Sequence, residues 1–586
     1  MSGSREDPSL PSFTLPESIP PIGHEEPDLA VAAPGASSAF RLDGARVSVH
    51  GTANGPVTDV WIDGTRVAAE LDGWEGAVAN TVTSPGRMRR ERVGRVGSAE
   101  EVFLVPPSLP FAAFQWTGSG AAPLRLRAWP DAPGVRYRIE DRTLTLAADD
   151  SDRLLVVGLM SGSGQWTVQD HAEGDGVLLV ANGSTAPRTL LLALGTPDAL
   201  RTAMRSARLL ATHEAPATTG PGVGTMRLRT GVRELDDAVA WMSGRLRHGV
   251  TGSGTRATPA PLDQRAWLWA GLAATATGDE ESAERCASIL ERLAPDEEGA
   301  LLAGSIGLAT GKSGRAVTCA ERLLDPELPP PAPHAPGAEM LRRLARHRLA
   351  DALRYAAPEE VLSRLREEPV ARGGVGLPTV GTPPPNPPSL ESWIRSLVRD
   401  MRGRAVDRED VGRALRAWAD TYTNIDAGWA SWRSHVGEGL TNGHHGIAAW
   451  DGLDRAGPPA VTGLLLAGMA YGWLGSEPDA PVGRLRLAPR IPTHVTRFHV
   501  SGIPIGDARV ALAYERTNGT YRFELEVERG RVPPLVAFEP TLGCRVERVR
   551  VDEAPADPEI TLSGTGTTIR LQTPLDAKRR IEVDAR

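Results

Sequence analysis

Cysteine is nearly missing from this chain: Cys286, Cys319 and Cys544 are the 3 among 586 residues. Three thiols at these spacings build no disulfide framework and match no metal-ligand pattern, so no metal is expected, and the two in helical stretches read as small core residues. A basic surplus is missing too. The 65 Lys and Arg are outnumbered by 73 Asp and Glu, a net charge of -8. A nucleic-acid or anionic-membrane partner needs a concentrated cationic face, so neither is expected. The one Arg-dense piece, Arg87-Met88-Arg89-Arg90-Glu91-Arg92, reads as a strand with a solvated cationic edge. Long apolar runs are also lacking, the longest being broken by glycine and too short to span a bilayer. No charged segment followed by an apolar one opens the chain, which predicts a cytoplasmic protein. Finally, no Gly-rich phosphate loop, nucleophile elbow or dinucleotide fingerprint stands in a strand-turn-helix context, so no cofactor is expected.

What is present points to several domains, because 586 residues exceed one small core. Residues 1–38 are rich in Pro, Ser, Glu and Gly without periodicity and are expected to be a disordered tail. From Phe40 to Leu194 short runs alternate with period near two, as at Val57 to Ile62 and Leu124 to Trp129. Turns such as Asp63-Gly64 and Asn182-Gly183 separate them, so residues 39–196 are predicted to form an N-terminal β-sandwich. Residues 197–230 read as a helical linker.

Helical periodicity then takes over for residues 231–476. Leu235, Val239, Met242 and Leu246 mark one helix face, and Leu262 to Ala276, Ala283 to Leu293, Ala300 to Thr310 and Ala316 to Leu324 continue with short loops. Helices joined so tightly form antiparallel hairpins. Gly278, Cys286 and Leu290 recur as Gly311, Cys319 and Leu323, a spacing that fits a helical-hairpin toroid and also a tetratricopeptide-like solenoid. Pro326 to Pro336 and Pro378 to Pro388 interrupt the period, which favours a closed, irregular ring over a solenoid. Roughly eleven or twelve helices, or six hairpins, fit between 232 and 474. From residue 477 to 586 period two returns, at Arg497 to Ser501, Ala508 to Tyr514, Tyr521 to Val527 and beyond, predicting a C-terminal β-sandwich. The expected class is thus multidomain α+β: N-terminal β-sandwich, central (α/α)6 helical toroid, C-terminal β-sandwich.

The stretch from His435 to Gly475 carries the chemistry. A polar, Gly-broken loop with His444, His445, Trp450, Asp451 and Asp454 empties into a helix that Pro458 and Pro459 start and Gly475 stops. With Val461, Leu464, Leu465, Leu466, Met469, Tyr471 and Trp473 on every side, that helix is expected to be buried all round. A loop tied to a buried helix is held rigidly, which suits a site.

The order of domains, together with three motifs, resembles the six-hairpin glycosidase superfamily of glucoamylases, trehalases, disaccharide phosphorylases and debranching-type glucosidases. Pro261-Leu262-Asp263-Gln264-Arg265-Ala266-Trp267-Leu268-Trp269 looks like the helix those enzymes place beside the substrate. His445-Gly446-Ile447-Ala448-Ala449-Trp450-Asp451-Gly452 looks like their late Gly-Thr-Ile-Ser-Glu-Ile-Phe-Asp-Gly loop, and Gly483-Arg484-Leu485-Arg486-Leu487-Ala488-Pro489 like the strand that follows. On this alignment the base glutamate falls on Ala448, which accepts no proton. Either another carboxylate serves or the site is dead.

The resemblance implies an inverting glycoside hydrolase on α-glucosidic or similar oligosaccharides. Inversion needs two carboxyl groups roughly 6.5–9.5 Å apart, one protonated and one ionised, with room for a water. The catalytic candidates are Asp451, Glu438 and Asp263, with Asp420, Asp426 and Asp454 also near the expected mouth. Asp451 and Asp454 precede a helix N-terminus, which favours the charged form and so a base. Glu438, between two glycines, is either a partly buried acid or a surface loop residue. Substrate-binding candidates are Arg265, Trp267, Trp429, Trp432, His444, His445, Trp450 and Asp454, because indoles stack on pyranose faces and imidazoles bond hydroxyls. Trp267 and Trp269 point to different faces of one helix, so one is expected in the core and the other in the lining, whereas Trp429 and Trp432 share a face. The alternatives are a catalytically degenerate sugar-binding relative and a helical-repeat adaptor.

Overall fold

The computed structural model describes residues 4–15, 29–32, 39–212, 225–253, 264–325, 338–367, 388–401, 410–441 and 460–585, apart from short stretches within them. The chain divides into two compact units, one built on the N-terminal strands and one on the helices and C-terminal strands.

The first unit is the expected β-sandwich. A ten-stranded and a seven-stranded sheet face each other across one core. Alternation does the sorting: Val47, Val49, Val60 and Ile62 of the smaller sheet meet Met88, Phe103, Phe114 and Leu192 of the larger. The larger sheet has a second apolar patch on its outer face. Helix α1 (Pro197–Thr212) covers it with Leu200 and Met204, so this part of the expected linker belongs to the sandwich.

Two expectations fail in this unit. Residues 5–15 are ordered rather than tail: Arg5–Glu6 pairs in parallel with Val135–Glu140, and Leu10 and Phe13 pack with Leu200 and Met204. Two buried side chains in a polar stretch are below what composition resolves. Residues 29–32 likewise pair, with Ala77–Ser84. The Arg-dense strand, Arg87–Gly94, is not an edge but lies between two neighbours. Arg90 and Arg92 point inward onto Glu101, at 2.8 Å each, and Trp116 Nε1 donates to the same carboxylate. Period two placed these guanidiniums in the core, where one carboxylate and the carbonyls of Thr52, Gly55 and Gly76 accept from them.

The helices that follow form the expected toroid, most of it within the second unit. They are α2 (Arg233–Ser253), α3 (Gln264–Thr277), α4 (Glu280–Leu293), α5 (Glu297–Thr310), α6 (Gly314–Leu323), α7 (Ala338–Leu353), α8 (Glu359–Arg366), α9 (Leu390–Met401), α10 (Asp410–Asp420), α11 (Ile425–Thr441) and α12 (Ala460–Ala467). Helix α12 runs on into one π-helical turn, Gly468–Trp473. Six of them close a ring, α3 on α5, α5 on α7, α7 on α9, α9 on α10, α10 on α12 and α12 back on α3. The 33-residue repeat marks its hairpin corners, since Gly278 and Gly311 end α3 and α5 with φ of 77° and 76°, a left-handed turn that glycine adopts without strain.

Close approach of backbones pins the ring shut. Gly463 of α12 lies on α3, where an added Cβ would stand 2.8 Å from the carbonyl carbon of Trp269. Val461 to Trp473 is buried on every side, as its composition requires. The C-terminal ends of α5 and α7 rest on the C-terminal sandwich, which is two seven-stranded layers. Ala309 O accepts from Gly506 N at 2.7 Å, and Arg354 pairs with Asp479 at 3.1 Å. One strand of that sandwich comes from far upstream: Arg227–Arg229 pairs with Arg497–Ile505, so the linker's end belongs to the C-terminal sheet. A three-residue strand carries too little pattern to be read in sequence.

Candidate active site

The ring has two unlike ends, and the N-terminal ends of α3, α5 and α7 define the one opposite the C-terminal sandwich. Helices α3, α5 and α7 start together there, stapled by charge. Arg265, in the first turn of α3, holds Glu298 of α5 at 3.1 Å, while the preceding residue, Glu297, holds Arg342 of α7 at 3.1 Å. Acidic residues in a first turn complement the helix dipole, and two adjacent ones diverge to opposite neighbours. Their side chains are 13% and 16% exposed, so these pairs are shielded from bulk water and reach it only at the rim. Helix α12 begins at the same end, because Gly463 packs on Trp269 and Ala270 of α3. The starts of α3 and α12 therefore lie at one end of the ring.

Asp263, His444, His445, Trp450, Asp451 and Asp454 lie outside the described residues. Glu438 was expected in a loop. Its backbone is instead helical, since α11 continues to Thr441, while its side chain lies outside the described residues. Glycines at 437 and 439 suggested a break, and helical context overrode them. Glu297 and Glu298 are the carboxylates that sequence reasoning missed at this end. Their only signal was a first-turn acidic pair, which reads equally well as a helix start.

Seven tryptophans of the ring are core rather than lining. Trp267, Trp269, Trp393, Trp418, Trp429, Trp432 and Trp473 are each no more than 4% exposed. Trp269 stacks on Trp393 at 5.0 Å and meets Trp418 edge-on at 6.2 Å, filling the ring. Trp429 and Trp432 do share a face, stacked at 5.2 Å, but Trp429 faces Trp473 and His494 while Trp432 faces α12. Trp432, Trp429, Trp473, Phe498, Tyr514 and Phe523 form one aromatic chain from ring to sandwich. Trp432 Nε1 is spent on Leu465 O at 3.0 Å. Trp267, Trp429 and Trp432 are accordingly enclosed and offer no face to a sugar. Both members of the Trp267/Trp269 pair are core, since a helix inside a ring is covered on every side.

Of the other acids, Asp426 accepts from Thr493 N and Oγ1 at 2.7 and 2.9 Å and so ties α11 to the C-terminal domain. Asp420, at the end of α10, has its carboxyl raised above the usual range by burial, against the pull of Arg416. Among the described residues no group of three or more His, Cys, Asp or Glu is placed to hold a metal ion.

The architecture is that of the six-hairpin glycosidase fold. A human-microbiome protein provisionally assigned as a kojibiose phosphorylase superposes with a TM-score of 0.58 at 6% identity, covering 94% of this chain and 99% of that one. A bacterial glucoamylase solved with acarbose gives 0.41 at 10% identity, covering 61% of this chain and 68% of its own. An α-L-rhamnosidase from Dictyoglumus thermophilum gives 0.41 at 9%, over 78% and 64%. At the level of sequence, no family model and no curated protein matches the chain.

Proposed function

We propose that the protein is carbohydrate-active and hydrolyses α-glucosidic or similar oligosaccharides with inversion, at the N-terminal end of the inner helices. The observation that carries this reading is the adjacency of α3 and α12, whose starts flank the motifs at 263 and 451. The chemistry asks for a base and a protonated acid across one glycosidic bond. Asp451, before the α12 N-terminus, is the proposed base, and Glu438 or Asp263 the acid. Arg265, oriented by Glu298, is the proposed hydroxyl-binding cation of the rim, with His444, His445, Trp450 and Asp454 as further contacts.

The test is turnover of α-1,2-, α-1,4- and α-1,6-linked glucose oligosaccharides by the purified chain, with the product anomer read by proton NMR. Turnover without inversion refutes the mechanism. Strict dependence on inorganic phosphate would make the reaction phosphorolysis. Ala448 supports a second reading, a degenerate sugar binder, which binding without turnover would establish.

A further inference from the structure

On the outer face of the ten-stranded sheet, beyond the part that α1 and residues 10–15 cover, a concavity of roughly 450 Å³ opens. Its lining is one cross-strand row. Asn80 stands opposite Glu91, Glu91 opposite Glu100, and Glu100 opposite Thr117. Arg89 and Val82 flank the row, Ser98 adds a hydroxyl, and Ala99 and Gly118 form the floor.

Three features mark this row as more than a solvated sheet face. First, Glu91 and Glu100 are directly opposed carboxylates, an arrangement that weakens a sheet. Among the described residues Arg89 pairs with Glu100, at 4.0 Å. Second, a bulge between Val78 and Asn80 reverses the alternation of that strand. Val78 and Thr81 both point inward, so without the extra residue Asn80 would share the face of Val78 and be lost from the row. Third, the floor is kept low: Gly118 has φ +152°, and a Cβ there would stand 2.5 Å from Ser98 O.

We infer that this row of the N-terminal sandwich is a binding site for a neutral saccharide. Its volume falls in the range of small-molecule sites, about 300–1,000 Å³. Carboxylates accept from sugar hydroxyls, the Asn80 amide and Arg89 guanidinium donate to them, and Ser98 and Thr117 do either. One guanidinium against two carboxylates disfavours an anionic ligand, and Arg89 beside the acids disfavours a bare cation. The choice of a saccharide among neutral polyols rests on the carbohydrate reading above.

The test is calorimetric titration of the full chain with maltotriose, isomaltotriose and mannotriose, and with a glucuronate-containing disaccharide. The variants are Asn80→Ala, Thr117→Arg and Asp451→Asn. The expected result is that a neutral probe binds the wild type and Asp451→Asn alike. Asn80→Ala and Thr117→Arg should weaken it at least about tenfold, with the melting temperature and any turnover unchanged. Equal affinity in wild type and both row variants, tighter binding of the glucuronate probe, or no binding of any neutral probe overturns the site. Turnover with only ring-dependent binding overturns the row and leaves the enzyme reading standing. Row-dependent binding without turnover does the reverse.

Discussion

The guanidinium of Arg490 lies 4.6 Å from the ring centroid of Tyr422, and its Nη1 donates to Gly472 O at 2.5 Å. Gly472 belongs to the π turn that ends α12, where Leu474 N reaches back to Met469 O. Arg490 thus ties the first strands of the C-terminal sandwich to the floor of the ring. Burial there pushes the Tyr422 phenol up to about 12, although Arg490 pulls the other way. Arg490→Ala strands a buried carbonyl and removes the cation–π contact, so we expect a loss of about 3 kcal/mol. Arg490→Lys, which keeps one donor, should lose less. Urea titration followed by tryptophan fluorescence reads both.

In the N-terminal sandwich, Glu101→Gln leaves two buried guanidiniums short of a counter-charge and is expected to cost about 3–5 kcal/mol. Replacing Arg90, Arg92 and Glu101 together by apolar residues of similar volume should cost less than the single change. Thermal melts of the two variants beside the wild type separate these outcomes; a Glu101→Gln melting temperature equal to that of the wild type would show that the carboxylate contributes nothing.

Two glycines predict opposite signs. Gly463→Ala drives a methyl into the backbone of Trp269 and Ala270, so α12 must move off α3 at about 1–3 kcal/mol. Gly314 starts α6 with nothing within 4 Å of its added Cβ, so Gly314→Ala should stabilise, by about 0.5–1 kcal/mol. Denaturation midpoints of the pair test whether the ring closes through α3 and α12.

The Glu477 carboxyl is pushed up by burial but pulled below its usual 4.5 by Arg348 and Arg486, which win. A depressed carboxyl stabilises the folded state fully above its unfolded value and loses that contribution as pH falls through the folded one. Wild type is therefore expected to lose stability below about pH 4.5 more steeply than Glu477→Gln. Parallel acid titrations by circular dichroism would reveal it, and superimposable curves would sink the idea.

If Asp451 and Glu438 are base and acid, Asp451→Asn and Glu438→Gln each lower kcat by about 10²–10⁴ with KM little changed. Unchanged rates in both refute the assignment, whereas an effect on KM alone would move them to the binding rim.

The fold was legible because two periods, two and 3.6, sort most of this chain, and because Gly278 and Gly311 repeat the corner of a hairpin. The strand Arg87–Gly94 shows the limit. Its alternation was readable, but guanidiniums score as solvated until a buried Glu101 is found 9 residues on. The tryptophans show the same limit at the site. Nothing local distinguishes an indole that lines a cavity from one that fills a ring, since both sit on an apolar helix face.

Chain order, element type and the burial of α12 thus followed from local pattern, because backbone propensity and side-chain alternation act within a few residues. Ring closure, the pairing of Arg265 with Glu298, the union of Arg227–Arg229 with the C-terminal sheet and the row from Asn80 to Thr117 were decided only in three dimensions. Each depends on partners dozens to hundreds of residues apart, whose meeting is set by packing and register and leaves no mark on either segment alone.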